Sequence, residues 1–445
     1  MVTTSSKTRV RAWPAVVVVA FVVVVAVVLA FAVRFAFVDE VNSDYRAFLS
    51  PWYDALAAGG GFRAVGQEIG NYNPPYLYLL AATTYLPIAK IAAIKLVSMM
   101  FDVVLAAFAG LIVHRRFGTW VSVLAFVVVL FAPTVLLNSG YWGQCDSIYA
   151  AFCLGSLYFL LRGRAWWACV FFGLALSFKL QAIFFLPALL IVLVVNRQRV
   201  LALLGVPVTF LAMLLPAALA GRSWRSLLMV YPDQVTTGGV GGGGATGGFG
   251  RGAGGGFGGG TSGTSSGLGT WTQNGPTMYQ WVGGSTIWLV VGLVVAAALI
   301  IALGLLAWRS RPLGEAQVVA LVTATVLAVP FFLPQMHERY FYLADVMTIV
   351  AAFYLRRFWP VAVVVSAGSL LAYAPFLWRT TPIPLSLVSF LEFLAVIVTL
   401  VVAAQVLTTP QSRLVRRSDR TVPGRAGSDP VPAIPVGSRP GQPFE

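Results

Sequence analysis

The chain has 445 residues, of which 58% are hydrophobic and 10% charged, and its mean hydropathy is +0.84. This composition excludes an ordinary soluble domain, and several apolar runs of roughly 18 residues or more predict an all-α polytopic membrane protein. The net charge of +15 lies mainly in short loops beside the apolar runs. There it orients the spans and contacts anionic lipid headgroups, so nucleic acid is not an expected partner.

The first apolar run covers residues 13–37 and follows a basic segment at 1–12. It is longer than the hydrophobic region of a signal peptide, and no clear small-residue cleavage site follows it. We therefore predict that the run is retained as a helix and that the N-terminus is cytoplasmic.

Residues 38–90 are predicted to form a first external loop. The apolar stretch at 75–88 is short for a crossing, and counting it as one would reverse the side of every later basic loop. We expect helices at 45–58 and 75–88 that lie on the membrane surface.

The later apolar runs alternate with basic loops that all fall on the predicted cytoplasmic side. An N-terminal module at 13–220 and a C-terminal module at 284–407 result. About twelve spans are predicted, at 13–37, 91–113, 119–137, 144–161, 165–179, 181–195, 200–220, 284–308, 316–333, 340–355, 359–377 and 384–407. The pair 165–179 and 181–195 can also be interpreted as one broken helix, although the basic loop after it would then lie outside.

Two segments are predicted not to fold alone. Residues 238–269, inside an external loop at 221–283, are dominated by glycine with serine and threonine, and they lack the phosphate-loop pattern. A flexible external loop is expected there, and a substrate lid is the alternative. The Arg- and Pro-rich end at 408–445 is predicted to be a disordered cytoplasmic tail.

Few ionisable side chains are predicted away from the cytoplasmic edges. Because charges at membrane depth are costly, such residues are usually retained for function. They gather in short clusters on the predicted outer face, at Asp39, Glu40, Asp44, Arg46, Asp146, Lys179, His337, Glu338 and Arg339. This one-sided concentration predicts an active site at that face rather than a plain membrane anchor.

Some of these clusters also have a purely structural interpretation. The cluster around Asp44 could be a solvated loop with an interfacial aromatic belt, and Asp146 could cap a helix N-terminus. Capping would leave the neighbouring Trp142 and Gln144 unexplained. Lys179 could extend along the apolar surface so that its ammonium reaches the lipid headgroups. The other interpretation is that Lys179 binds a phosphate group.

The motif His337-Glu338-Arg339 is harder to explain by packing. It is not a zinc motif, since the only other histidine is His114. The three cysteines show neither metal-ligand spacing nor a disulfide framework and are expected to pack in the core; they are Cys145, Cys153 and Cys169.

Together these motifs resemble the GT-C superfamily of polyprenyl-phosphate-sugar-dependent glycosyltransferases. The nearest relatives look like the dolichyl-phosphate-glucose glucosyltransferases of N-glycan assembly and the bacterial relatives of the second GPI mannosyltransferase. The matching residues occur in the family's order between 30 and 345: Asp44-Tyr45 with Trp52, Tyr72-Asn73-Pro74-Pro75-Tyr76, Phe178-Lys179-Leu180-Gln181 with Pro187, and His337-Glu338-Arg339. Arg46 departs from the pattern, since the glucosyltransferases tend to have an acid there, and the glycine-rich insert has no counterpart.

The resemblance implies inverting transfer of a hexose, with mannose favoured, from a polyprenyl-phosphate carrier to a glycan or lipid-linked glycan acceptor. It assigns Asp44 as the catalytic base, and Lys179, His337 and Arg339 as the ligands of the donor phosphate. The residues expected to bind the substrate or shape the site are Asp39, Arg46, Tyr72, Gln144, Asp146, Gln181 and Glu338. No metal or other cofactor is expected.

A transporter or flippase of a lipid-linked sugar is the alternative function. Transporters place their charges near mid-membrane and often contain internal repeats, whereas this chain shows no such repeat. A protein O-mannosyltransferase would carry a larger acidic pair in the first loop and a folded external domain. The Ala-, Val-, Arg- and Gly-rich composition is typical of a bacterium with GC-rich DNA, which predicts a plasma-membrane enzyme with an external active face.

Overall fold

The computed structural model describes residues 12–237 and 272–410. The glycine-rich segment predicted at 238–269, the N-terminal residues 1–11 and the tail beyond residue 410 lie outside the described residues.

Helices form almost all of the described chain, as the apolar runs predict. In chain order the α-helices are α1 (Ala12–Phe35), α2 (Ser50–Ala58), α3 (Pro74–Thr83), α4 (Lys90–Phe117), α5 (Thr119–Leu130), α6 (Pro133–Leu136), α7 (Asp146–Leu161), α8 (Ala165–Phe178), α9 (Leu186–Val195), α10 (Gly205–Leu219), α11 (Trp224–Thr237), α12 (Tyr279–Val282), α13 (Thr286–Arg309), α14 (Glu315–Phe332), α15 (Tyr342–Tyr354), α16 (Trp359–Leu377) and α17 (Leu385–Thr408).

Shorter turns connect several of these helices. The π-helical turns are Tyr45–Leu49 and Leu137–Trp142. The 3₁₀ turns are Gly61–Gly66, Leu180–Phe185, Val200–Leu204, Glu338–Phe341 and Arg356–Phe358. Two short strands, β1 (Thr272–Gln273) and β2 (Met336–His337), pair in parallel.

Helices lie at all twelve positions where the sequence predicts spans. Within the described residues, seven helices are long and apolar enough to cross a membrane, or eight if the pair Thr119–Leu130 and Pro133–Trp142, bent by 51°, is one span. Shorter apolar helices lie at Asp146–Leu161, Ala165–Phe178 and Leu180–Val195. The all-α, multi-pass fold class is thus confirmed, while the division into two modules stays a prediction.

Two helices occupy the stretch predicted to form the first external loop. The turn Tyr45–Leu49 continues directly into α2, and the two together match the predicted helix at 45–58. Helix α3 ends at Thr83, earlier than predicted. Pro87 explains this end, because proline lacks an N–H and disfavours helical geometry at the residue before it.

Among the described residues, five Asp, Glu, Lys or Arg side chains outside the predicted polar clusters lie buried inside the helical bundle. They are Arg34, Lys95, Asp102, Asp345 and Glu392, each at most 1% exposed. The expectation that charge is confined to the cytoplasmic edges and the outer clusters was therefore wrong for these residues. An apolar span can hold a single charge when the bundle supplies its partners, and hydropathy alone does not reveal those partners.

Arg34 joins four elements near one end of the bundle. Its Nε lies 2.8 Å from Asp102 Oδ2 and 3.2 Å from Ser139 Oγ. Its Nη2 donates to the Leu130 carbonyl at 2.8 Å, and its Nη1 donates to the Ala30 carbonyl at 3.1 Å. The guanidinium thereby ties the end of α1 to α4, to the end of α5 and to the Leu137–Trp142 turn.

Replacing Arg34 by methionine should destabilise the protein strongly, because Asp102 would remain as a buried carboxylate without its cation. Loss of one partner of a buried ion pair costs about 3–5 kcal/mol. We expect the double variant Arg34→Met, Asp102→Leu to recover most of this loss in thermal unfolding of the detergent-solubilised protein. A double variant no more stable than Arg34→Met would show that the loss does not come from the unpaired Asp102 carboxylate.

Candidate active site

A cavity of about 1660 Å³ opens where the loops of several helices meet. Its wall contains Asp44 from the turn before α2, Tyr72 from the turn before α3, and Lys179 from the break after α8. The motif after α14 and one face of α11 complete the lining. Every one of these segments carries a polar cluster or an aromatic side chain into the same space.

Asp44 is held through one of its two carboxylate oxygens. Its Oδ2 accepts hydrogen bonds from Trp142 Nε1 at 2.9 Å, Gln144 Nε2 at 2.6 Å and Arg339 Nη1 at 3.1 Å. Within the described residues Oδ1 accepts no hydrogen bond, and the side chain is 16% exposed at the cavity. The carboxylate is therefore fixed in orientation, with one oxygen open to a substrate.

Gly143 lets two neighbouring side chains converge on Asp44. Its φ of 80° lies in the left-handed region, which glycine adopts without steric cost. The turn places Trp142 before the glycine and Gln144 after it. Asn42 fixes the other side, since its Nδ2 donates to the Trp142 carbonyl at 2.7 Å and its Oδ1 accepts from the Tyr45 amide at 3.0 Å.

Lys95 holds the same two segments together from inside α4. Its ammonium donates to the carbonyls of Phe37 at 3.0 Å, Glu40 at 2.8 Å and Tyr141 at 3.0 Å. These three acceptors satisfy all three N–H donors of the group. Lys95 therefore fixes the approach of the Asp44 segment to the Trp142 turn without reaching the cavity itself.

Lys179 enters the cavity because the helix breaks there. Its backbone is extended, with φ −148° and ψ 140°, between the end of α8 and the following 3₁₀ turn. Its Nζ lies 2.5 Å from Asp146 Oδ1, and 5.3 Å from the centre of the Tyr72 ring. Asn138 Nδ2 donates to the other oxygen of Asp146 at 2.8 Å. Both oxygens of Asp146 are thus occupied, and it lies behind Lys179.

The motif His337-Glu338-Arg339 begins at the last residue of strand β2 in the short sheet. Strand β2 pairs with β1 in the register Gln273↔His337. Burial, with the nearby cations Arg339 and Lys179, lowers the pKa of His337 to about 3, so its imidazole is neutral near pH 7. Burial raises the pKa of Glu338, and the nearby Arg339 guanidinium offsets part of this effect, so that the pKa is about 7.

Most of the predicted site residues meet in the cavity wall. Those that line it are Asp44, Tyr72, Gln144, Lys179, Gln181, His337, Glu338 and Arg339. Asp39 and Arg46 are not brought to the cavity, since both are exposed and neither is part of the lining. Arg46 lies two residues after Asp44 in a helical turn, and residues at that spacing face different sides. Asp39 lies in the turn that binds Lys95 through the backbone carbonyls of Phe37 and Glu40.

Other residues of the site were missed at the level of sequence. Lys95 carried a usable signal, because a charge within a predicted span is unusual. Arg222 and Arg225 also line the cavity, and arginines on the predicted outer side depart from the positive-inside pattern. Asn138 gave no signal, since its role depends on the bend of the helix around it.

A metal-binding cluster is not found within 12–237 and 272–410, where no three His, Cys, Asp or Glu side chains lie together. The cysteines are buried and unpaired, in agreement with core packing.

The family of the chain follows from sequence comparison. The profile of glycosyltransferase family 87 matches residues 71–334, which is more than half of the chain. The chain therefore belongs to glycosyltransferase family 87. No curated protein sequence is significantly similar to it.

The crystal structure of ArnT from Cupriavidus metallidurans bound to undecaprenyl phosphate resembles this chain, with a TM-score of 0.50 and 13% identity over 86% of this chain and 77% of ArnT. The apo structure of the same protein gives a TM-score of 0.39 at 16% identity over 87% and 77% of the two chains, too low to add to the comparison. Identity this low establishes the fold alone. The family match and the shared fold together confirm the predicted GT-C glycosyltransferase, while the finer resemblance to glucosyl- and mannosyltransferases stays a prediction.

The opposite pKa shifts in the motif predict opposite pH dependences of stability. The raised pKa of Glu338 gives a stabilising contribution that is present below about pH 4.5 and is lost as the pH rises through about 7. The depressed pKa of His337 gives one that is present above about pH 6.5 and is lost as the pH falls towards 3.

Glu338→Gln should therefore gain thermal stability relative to the wild type as the pH rises from 4.5 to 7. His337→Asn should lose stability relative to the wild type as the pH rises from 3 towards 6.5. Thermal unfolding temperatures of the three proteins across this range measure both differences. Parallel curves for all three proteins would contradict the burial of these groups.

Proposed function

We propose that this member of glycosyltransferase family 87 is an inverting enzyme that transfers a hexose, with mannose favoured, from a polyprenyl-phosphate carrier to an acceptor hydroxyl. One observation carries the proposal. A carboxylate anchored through one oxygen, Asp44, shares a cavity with the cationic side chains Lys179 and Arg339. A base for the acceptor and a binding site for the donor phosphate thus lie together.

Asp44 would act as the base through its Oδ1. The acceptor oxygen forms a bond to the anomeric carbon as the bond from that carbon to the phosphate oxygen breaks, and the hydroxyl proton passes to Asp44. Such proton transfer typically contributes ~10²–10⁴-fold to the rate. One carboxylate suffices because polyprenyl phosphate is already a good leaving group, unlike the alcohols that glycosidases must protonate.

Arg339 is suited to couple the base to the leaving phosphate. Its Nη1 donates to Asp44, while its buried Nε has no acceptor within the described residues. The Lys179 ammonium has three donors and gives one to Asp146, which leaves donors for a phosphate oxygen. Neutral His337 can donate one further hydrogen bond. Together these groups would stabilise the charge that develops as the phosphate leaves.

Aromatic side chains shape the cavity beside these charges. The ring of Tyr72 lies 5.1 Å from that of Trp52, and Phe48 lies 5.9 Å from Trp52 on the other side. Tyr72, Trp52 and Phe48 all line the cavity. We assign this wall to the sugar ring and the first part of the lipid chain. The amide oxygen of Gln144, together with Gln181, is assigned to the sugar hydroxyls, and Asp146 acts by positioning Lys179.

Two further observations support a lipid-linked donor at the outer face of the bacterial plasma membrane. The ArnT structure that shares this fold holds undecaprenyl phosphate. Basic residues also gather at the helix ends away from the cavity, for example Arg115 and Arg116 at the end of α4. By the positive-inside rule that end is cytoplasmic, so the cavity faces outwards.

Asp44→Asn should slow transfer strongly, because the amide cannot accept the hydroxyl proton. We expect the rate to fall by about 100-fold or more. The measurement is sugar transfer in proteoliposomes supplied with radiolabelled polyprenyl-phosphate mannose, and then glucose, at equal protein levels. Asp39→Asn is the matched control, since Asp39 is exposed and outside the cavity lining.

The control should keep near wild-type transfer. Equal activity of Asp44→Asn and Asp39→Asn would refute the role of Asp44. Movement of the lipid-linked sugar across the bilayer without transfer would instead support a flippase.

A further inference from the structure

A second group of cationic side chains lines the cavity at the start of α11. Arg222 and Arg225 both belong to the lining, and Ser226 lies beside them. Arg222 is only 6% exposed, and its Nε donates to Ser226 Oγ at 3.2 Å. Its Nη1 is buried and has no acceptor within the part of the chain that the structure describes.

This group is separated from the proposed donor-phosphate site along α11. The far end of the helix contacts the segments around that site, because Gln234 Nε2 donates to the Asn71 carbonyl at 2.5 Å and the Tyr231 hydroxyl donates to the Leu176 carbonyl. From Arg225 to Gln234 a helix rises roughly 13 Å, at about 1.5 Å per residue. A single phosphate cannot bind at both ends.

The charge at this end is not neutralised by a close ion pair. None of the ion pairs in the described residues includes Arg222 or Arg225, although Glu68 also lines the cavity. Burial of a guanidinium with an unpaired N–H is costly unless a ligand completes its hydrogen bonds. The planar donors of arginine match the oxygens of phosphate and carboxylate groups.

We propose that Arg222, Arg225 and Ser226 form a second anion subsite, which binds a phosphate or carboxylate group of the acceptor while the donor phosphate occupies the site around Lys179. The proposal rests on the proposed function and narrows its acceptor to anionic glycans or glycolipids. An anionic headgroup of the surrounding membrane is the other source of the same chemistry.

Binding to the full-length protein tests the subsite without sugar transfer. The protein is placed in phosphatidylcholine nanodiscs, and the donor site is saturated with undecaprenyl phosphate. Inorganic phosphate and mannose 6-phosphate are then titrated by calorimetry, with methyl mannoside as the uncharged probe. We expect both phosphates to bind the wild type. Arg222→Gln should lower their affinity about tenfold to hundredfold, the effect of losing a charge-assisted hydrogen bond.

Two further variants keep the test interpretable. Arg225→Gln changes an exposed side chain and should therefore fold normally. We expect it to weaken phosphate binding less than Arg222→Gln does, and this loss tests the subsite even if Arg222→Gln misfolds. Arg63→Gln is the matched control, because Arg63 is exposed and outside the cavity lining. It should bind phosphate as the wild type does, and methyl mannoside should not distinguish the variants.

The outcomes distinguish an anionic acceptor from a membrane headgroup, and they distinguish failure of the subsite from failure of the proposed function. If phosphatidylglycerol in the nanodisc displaces mannose 6-phosphate from the wild type, the anion is a lipid headgroup and the acceptor assignment is overturned. Absence of phosphate binding to the wild type, or equal binding by Arg222→Gln and Arg63→Gln, overturns the subsite itself. Asp44→Asn should retain this binding, so loss of transfer in that variant does not bear on the subsite.

Discussion

The three hydrogen bonds to one oxygen of Asp44 are the interaction on which the site depends. Their donors, Trp142, Gln144 and Arg339, lie 98, 100 and 295 residues away in the sequence. One carboxylate therefore joins the first loop, the bend before α7 and the motif after α14. Because all three donors meet Oδ2, the carboxylate cannot rotate freely, and its other oxygen has a defined direction into the cavity.

Buried charges elsewhere in the bundle support this geometry. Arg34 and Asp102 both bind Ser139, which fixes the end of α1 to the turn that carries Trp142. Lys95 binds the carbonyls of Phe37 and Tyr141, and so joins the segment before Asp44 to the same turn. Isolated charges would cost several kcal/mol each at this depth, so their retention requires the partners that the bundle provides. These groups do not touch the cavity, yet they determine where Asp44 lies within it.

The helices and the central residues of the site were predictable because their signals are local. Apolar length gives the helices, and Asp44, Lys179 and the motif beginning at His337 stand out as polar residues between apolar runs. What was not predictable depends on contacts between distant segments. The pairing of β1 with β2 joins two-residue strands, too short to leave a pattern in the sequence.

The same limit explains why some predicted site residues lie apart from the cavity. Sequence proximity placed Asp39 and Arg46 with Asp44, whereas local turns direct them to solvent. Asp146 and Lys179 were assigned separate roles, but the break after α8 brings them into an ion pair. Arg222 departs in the sequence from the positive-inside pattern, but its burial and its unpaired nitrogen become visible only in the folded chain.

In the proposed function, the donor phosphate binds beside Asp44, between Lys179, His337 and Arg339. An electron cryomicroscopy structure of the protein in nanodiscs with undecaprenyl phosphate tests it most directly. We expect phosphate density within hydrogen-bonding distance, about 3 Å, of Arg339 and Lys179, with Oδ1 of Asp44 still open to the cavity. Phosphate density at the Arg222 end of α11 alone, or outside the cavity, would contradict this placement of the donor phosphate.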